Sequence, residues 1–418
     1  MADEPSNLPD SVNDGAPIAT RDPGDQEPVA PLTESEFEAA FSEPLSQTLD
    51  LDTWHPGADL PRLYRRLQDE VADAVRKEAQ YLKEIRRVVF PRLRNRPSAP
   101  KDAGVYSLTT GQVEAVHRKL LFNGAVEACD GTVSGQDTLP VTITQIGVCL
   151  VSYRGDQGSW VHRLYRRDLR ASGANPVDET LELLDRRRAR GGQDQPSIRD
   201  RMSDLARRGI MAYAERAVLL DRSSATWRMG HGNPVAYELV TGSGMPELLR
   251  ASLALLRRLI LDHKKFVFVP SAPRRRELLT IGNALNPLEY AIVDTIAEPL
   301  GRIVSGHYRG QEWGELGKDA ESFAKECGPQ VVMGLYRASR LSPCQMFYGH
   351  VEHAHEAAII AIADSLLQEH RGFPMLIDLA DGLCRTTFGS DTFSASAQLA
   401  YAEAGEPFRY LAERKTRR

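Results

Sequence analysis

Between Leu60 and Phe90 apolar residues recur every three or four positions, at Leu60, Leu63, Leu67, Val71, Val75, Leu82, Ile85 and Val89. That spacing predicts one long helix, with a gap near Ala79. Pro61 suits its first turn and Pro91 ends it. The opposite face is charged, so the stripe packs on the body of the protein or on a second copy, and a homodimer is expected. Beyond a basic, proline-rich linker over 92–101, residues 109–121 read as a helix. Residues 125–130, 141–153 and 160–165 then read as three strands of an antiparallel meander.

Helical patterns follow at 176–190 and 198–213, the second running into an apolar strand-like stretch at 217–220. Residues 227–241 read as a glycine-containing loop with a strand at 235–240. Helices are predicted at 246–261, 288–300 and 354–368. The run Phe266-Val267-Phe268-Val269 has no alternation and suits a central buried strand. Residues 331–335 and 344–348 read as strands, and 373–379 leads into a final helical region. Strands alternating with helices, after an antiparallel start, predict an α/β protein with a mixed sheet.

Composition adds a polarity to this plan. The first fifty residues hold twelve acidic side chains and one arginine, whereas the remainder carries an excess of six basic ones. Residues 1–48 are too poor in apolar groups to offset chain entropy, so they are predicted to be a disordered acidic tail. Within it, Thr33 followed by Glu36 has the form of a capping box for a short helix over 32–41. The expected organisation is a tail over 1–48, a helical region over 49–105 and an α/β domain over 106–418. There is no long apolar run and no basic-then-apolar leader, so no membrane span and a cytoplasmic protein are expected. The five cysteines are scattered without CxxC spacing, which argues against a zinc ribbon.

The candidate chemistry is carboxylate chemistry. Two-metal hydrolysis needs several oxygen ligands converging from separate elements. Asp130 ends an apolar strand and is followed by Gly131 and Thr132, a pattern that a hairpin turn also explains. Asp221 ends the apolar stretch at 217–220, the helix before it offers Asp200 and Asp204, and Asp378 and Asp381 follow the apolar segment near residue 375. Basic groups that could hold phosphates include Arg274, Arg275 and Arg276, directly after the predicted central strand. Arg222 and His231 lie behind Asp221. The His350, His353 and His355 cluster invites a metal reading, but a helix is predicted to start there. No GxxxxGK[ST], GxSxG or HExxH pattern is present, so any energy-driven movement of a ligand would come from a partner.

In order and spacing, these carboxylates resemble the NurA family of DNA-end-processing nucleases. Asp130-Gly131-Thr132 matches its first motif, and Leu219-Leu220-Asp221-Arg222-Ser223 matches a strand ending Leu-Leu-Asp-Gly-Ser. Asp204 stands for a helix glutamate. Gly372-Phe373-Pro374 with Asp381 stands for Gly-Tyr-Pro followed by a histidine. The resemblance spans residues 110–400. It implies an RNase H-like mixed sheet flanked by helices. It also implies a two-metal Mn²⁺ or Mg²⁺ site at Asp130, Asp204, Asp221 and Asp381, hydrolysing DNA phosphodiesters. The implied partner is a HerA-type hexameric ATPase, in repair or anti-phage defence. The departures at Arg222, Phe373 and Asp381 leave an alternative, a catalytically weak DNA-binding or adaptor subunit of such a complex.

Overall fold

The computed structural model describes residues 33–57, 60–96, 99–137, 142–166, 204–271, 276–308 and 313–408, with single helical positions at 177 and 181. The chain divides into two compact units, Met1–Val71 and Ala72–Arg418, and the division falls within the long helix.

The first unit holds α1 (Glu34–Phe41) and α2 (Leu45–Leu49), where composition predicted a disordered tail up to residue 48. Local hydrogen bonds account for the difference. The Thr33–Glu36 capping box is present. Glu34 accepts from the Ser46 N–H at 2.9 Å, and the Trp54 indole N–H donates to the Thr48 carbonyl at 2.9 Å. The long helix α3 (Leu60–Val88) forms as its periodicity predicts, yet none of its residues is buried. Near its carboxyl end Arg86 makes a bidentate pair with Glu289, at 2.6 and 3.0 Å.

The second unit is built on one nine-stranded mixed sheet. In chain order its elements begin with β1 (Gly104–Ser107), α4 (Thr110–Val116), β2 (Val126–Asp137), β3 (Thr142–Ser152) and β4 (Gly155–Arg166). Next come α5 (Asp204–Asp221), β5 (Trp227–His231), α6 (Tyr237–Val240), α7 (Pro246–Arg257), β6 (Phe266–Val269), α8 (Arg276–Asn283), β7 (Glu289–Thr295), α9 (Ala297–His307) and α10 (Gly314–Cys327). The last are β8 (Val331–Arg337), β9 (Gln345–His350), α11 (Ala354–Ser365), α12 (Met375–Phe388) and α13 (Ser390–Glu403). The strand order is β1-β7-β8-β9-β6-β5-β2-β3-β4. β2, β3 and β4 pair antiparallel, whereas β2, β5 and β6 run parallel. That five-stranded half has the RNase H-like arrangement expected from the sequence. The remaining strands extend it as an antiparallel block.

Successive strand residues face opposite layers. Cys129, Phe268 and Leu335 pack in a core with α5, α7, α9 and α10. Ala128, Met229 and Val267 pack in a second core with α4, α11 and α12.

Three predicted elements differ. Residues 217–220 are the last turn of α5 and not a strand, because four apolar residues carry too little periodicity to separate the two. The buried residues Ala206, Gly209, Ala212, Glu215, Arg216 and Leu219 trace one helical face through them. The strand of this region is β5, at 227–231, in the stretch read as loop, and 237–240 is helical. Residues 289–295 form β7 in place of a helix.

The entry to α12 is fixed by a buried carboxylate. Asp364 is fully buried near the end of α11; its Oδ2 accepts from the Leu376 N–H at 2.9 Å, and Oδ1 accepts from the Tyr153 hydroxyl. Burial pushes its pKa up to about 6, against those two stabilising bonds. Gly372 turns the chain with φ +59°, and a Cβ there would lie 2.3 Å from the Ser342 Cβ. Asp364→Ala would leave one buried and one half-buried donor unpaired, so it should lower stability by about 2–3 kcal/mol, with Tyr153→Phe costing about 1. Urea unfolding midpoints measure both. A loss under about 0.5 kcal/mol for Asp364→Ala would mean that α12 is seated by packing alone.

Candidate active site

β2 and β5 run side by side from the pair Val126–Trp227 to the pair Cys129–Gly230. Beyond that point they part, and β5 continues only against β6, through His231 and Val269. The first residues past the fork are Asp130 on β2 and His231 on β5. This is the carboxyl end of a set of parallel strands, where α/β sheets commonly bind ligands.

The layers on either side deliver two more acids. Asp130 follows Ala128 in strand alternation and so faces the α12 layer, where Asp381 lies one turn before Cys384. The Cys384 thiol donates to the Asp130 carbonyl at 3.0 Å, which holds this helix against the strand. Gly131 faces the α5 layer. A Cβ at Gly131 would lie 2.7 Å from Glu215 Oε1 and 2.8 Å from Met211 Cγ. The missing side chain is therefore what lets the Glu215 carboxylate lie over β2.

The four groups sense one another electrically. Burial pushes the Glu215 carboxyl up to about 7; Asp130 adds to this, while Arg216 and His231 oppose it. Asp381 is raised by burial and then by Asp130, with Arg385 working against both. For His231, burial disfavours the charged ring, but Asp130, Glu215 and Asp381 outweigh it and raise its pKa. The His231 Nδ1 is 3.8 Å from Asp130 Oδ1, and its Nε2 is 2.8 Å from the Ser271 hydroxyl. The ring meets Phe373 edge-on, with centroids 5.8 Å apart.

A buried guanidinium organises one side. Arg216 donates to Glu215 Oε2 at 2.6 Å and to the Asn233 carbonyl at 2.6 Å, and it stacks over Phe268 at 5.3 Å. It thereby ties α5 to the residues that leave β5. Asp381 is held at 2.9 Å by Arg385 on the same helix.

Of the expected set, Asp130 and Asp381 are brought together and the other two are not. Asp221 lies six residues beyond Glu215, so it is about 9 Å further along α5 and about 120° around it. It is exposed and paired with Arg258 at 2.6 Å. Arg222 follows it, also exposed. Asp204 opens α5, eleven residues before Glu215 and about 16 Å away along the axis. Asp200, Arg274 and Arg275 lie outside the described residues, as does the side chain of Arg276 at the start of α8. His231, read as a loop residue, ends a strand. The His350–His355 cluster disperses: His350 is buried, with Nδ1 accepting from the Glu352 N–H at 3.1 Å, and His355 Nδ1 meets the Tyr290 hydroxyl at 2.8 Å.

Glu215 and the place of His231 were missed from sequence. The available signal was an acid at 215 between the buried apolar positions 212 and 219, and a histidine ending Trp227-Arg228-Met229-Gly230 before a glycine. Here β5 ends in His231 and α12 carries Asp381.

The donor chemistry, three carboxylates and one imidazole, fits a hard or borderline divalent cation. Among the described residues no three such side chains are drawn close enough to hold an ion as they stand. Glu215 and Asp381 are held instead by Arg216 and Arg385.

No protein-family model and no curated protein matches the chain. Among solved structures it is similar to the NurA nuclease from Sulfolobus solfataricus, at 10% identity over 82% of this chain and 98% of that one, with a TM-score of 0.44. A structure of NurA bound to dAMP and manganese aligns at 10% identity over 80% of this chain and 95% of that one, with a TM-score of 0.33. NurA with manganese aligns at 9% identity over 73% and 95%, with a TM-score of 0.34.

A pH dependence follows from Glu215. Its folded pKa lies above the ordinary carboxylate value of 4.5, so the folded state keeps a proton that the unfolded chain gives up. Stability is then lost as pH rises from about 4.5 through 7. Relative to Glu215→Gln, the metal-free protein should lose up to about 3 kcal/mol between pH 5 and pH 8. Denaturant unfolding at the two pH values reads this. A parallel pH profile for the two proteins would show that Glu215 is ionised throughout.

Proposed function

We propose that the protein is a divalent-metal-dependent deoxyribonuclease of the NurA type, using Mn²⁺ or Mg²⁺ in a two-metal site to hydrolyse phosphodiesters during DNA end processing. The observation that carries this reading is the convergence of Asp130, Glu215 and Asp381, with His231, on the fork between β2 and β5. Carboxylates from three separate elements are costly to crowd together, since like charge disfavours ionisation, and Asp130 raises both Glu215 and Asp381. A cation offsets that cost, and perturbed acids gathered at a strand fork are the mark of a functional site.

The metal-binding set in this proposal is Asp130, Glu215, His231 and Asp381. Glu215 and His231 take the places that the sequence pattern assigned to Asp204 and Asp221. Bound there, divalent cations supply Lewis acidity toward the phosphoryl group and a nucleophile at neutral pH. Asp130 is the fixed member, backed by the Cys384 thiol on its own carbonyl. Glu215 and Asp381 are the adjustable members, because each is held by one arginine that it can leave. Arg216 keeps the α5 side in register while that happens. DNA phosphates would be held by Arg274, Arg275 and Arg276, beyond the carboxyl end of β6.

Two partner proposals accompany this. A second copy of the chain would cover the stripe on α3, where Leu60, Tyr64, Leu67, Val71 and Val75 are each about half exposed. A HerA-type hexameric ATPase is implied by the sequence resemblance, and the absence of a phosphate-binding loop in this chain is consistent with an external motor. Roles in repair or anti-phage defence rest on the same resemblance. Among the described residues no helix is long and apolar enough to cross a membrane.

One observation favours the adaptor reading: Glu215 and Asp381 are both paired with arginines, which could neutralise them in place of a metal. Incubation of purified protein with linear DNA and Mn²⁺, with and without the partner ATPase, decides between the two. The nuclease reading expects cleavage that EDTA stops and that Asp130→Ala reduces by at least about a hundredfold, given the loss of a metal ligand. Cleavage that survives Asp130→Ala would sink the site, and DNA binding without cleavage under every condition would favour the adaptor.

A further inference from the structure

Two thiols lie beside Asp130 and take no part in the proposed hydrolysis. We propose that Cys149 and Cys384 form a redox modification site, in which a peroxide joins the two sulfurs in one reversible disulfide. The inference stands apart from the metal-dependent reading, since the bond forms whether or not an ion occupies the fork.

The register of α12 on β3 brings the pair together. Cys149 is the cross-strand partner of Asp130. Two residues earlier on the same face of β3, a Cβ at Gly147 would lie 2.2 Å from the Phe388 ring, so the end of α12 rests directly on that strand. From Phe388 back to Cys384 is four helical residues, about 6 Å. From Gly147 on to Cys149 is two strand residues, about 6.8 Å. The two steps match, and Cys384 is set over Cys149. The side chains agree with this. The thiols are hydrogen-bonded to each other, and with Phe388 they form a small buried cluster of their own. The Cys384 sulfur also lies 3.0 Å from the Asp130 carbonyl.

The other three cysteines are placed differently. Cys129 packs on the opposite side of the sheet, in the core with α5, and Cys327 ends α10 in that same core. Cys344 lies just before β9, where its sulfur would be 2.4 Å from a Cβ at Gly282. They serve as internal controls.

Cover over the pair is thin. Neither thiol has exposed surface. Yet the Cys149 sulfur is 3.3 Å from the Ser159 hydroxyl, and Ser159 is exposed on β4, the edge strand of the sheet. Local opening of an edge strand is enough to admit a molecule as small as hydrogen peroxide.

The step balances. One thiol attacks a peroxide oxygen and becomes a sulfenic acid, releasing water. The second sulfur then displaces the hydroxyl group as a second water, and the S–S bond forms. Two sulfurs are oxidised and one O–O bond is reduced. A dithiol reverses the step by exchange. The bond takes away the hydrogen that Cys384 gives to the Asp130 carbonyl, and it ties α12 to β3 one turn from Asp381.

The test uses the metal-free full chain and hydrogen peroxide. The peroxide is removed with catalase, free thiols are alkylated in urea, and the protein is digested without reduction for mass mapping. One Cys149–Cys384 crosslink is expected, two hydrogens lighter than the paired thiols and absent after dithiothreitol. It should form at least about tenfold faster than Cys327 or Cys344 is oxidised, because a neighbouring sulfur captures the sulfenic acid at once. Cys149→Ser and Cys384→Ser should each abolish it. Five alkylated thiols after treatment of the folded protein overturn the inference, as does a crosslink to any other cysteine. A crosslink whose rate rises with urea in step with unfolding overturns it too, since the pair would then meet only in the unfolded chain. These readouts need no variant to fold, and none depends on nuclease activity.

Discussion

At Gly131 a carboxylate from a helix lies across a central strand, and the arrangement of the site depends on that close approach. A Cβ at Gly131 would lie only 2.7 Å from Glu215 Oε1. The contact brings an acid of the α5 layer next to Asp130, which faces the other layer. Two carboxylates placed on opposite sides of a sheet would normally be insulated by a strand and its side chains. Here the strand is thinned to bare backbone, and the charges meet in a region that water barely reaches. Burial raises Glu215 to about 7 for that reason. Crowded acids of this kind store unfavourable energy in the metal-free protein, and a cation is the species that would release it.

The scaffold holds this arrangement from two ends. On the α5 side, Arg216 is buried and spends its donors on Glu215 and on carbonyls of the helix and of the chain leaving β5. On the α12 side, Asp364 seats the helix N-terminus and the Cys384 thiol binds the carbonyl of Asp130 itself. Each anchor holds a residue of the fork directly, Arg216 the Glu215 carboxylate and Cys384 the Asp130 carbonyl. Both limit how far the acids can separate, so the adjustable parts of the site are reduced to a few side-chain torsions.

Parts of this were readable in the chain. Asp130-Gly131-Thr132 was legible because an apolar strand, a carboxylate and a residue without a side chain fall in consecutive positions. Phe266-Val269 was legible as a central strand because nothing polar interrupts it. The capping box at Thr33 and Glu36 marked a helix start through local hydrogen bonds alone. Ala217-Val218-Leu219-Leu220 misled because its four apolar residues suit a strand as well as a helix, and only the packing of Leu219 in the core with α5 decides. That reading made Asp221 a candidate, whereas the helix places Asp221 against Arg258 and Glu215 beside Gly131. β5 was hidden because Gly230 and Gly232 give it the composition of a loop.

The sequence by itself determined the fold class and the antiparallel start of the sheet, and it named Asp130 and Asp381 among its candidate carboxylates. These follow from local patterns, in which the periodicity of neighbours reports burial. The tertiary structure decided which acid of α5 faces the strand, that a histidine ends β5, and that Gly131 is a passage between layers as well as a turn-permissive residue. Those facts depend on which face of a helix lies over which position of a strand. That register is set by the packing of residues far apart along the chain, and no local pattern records it.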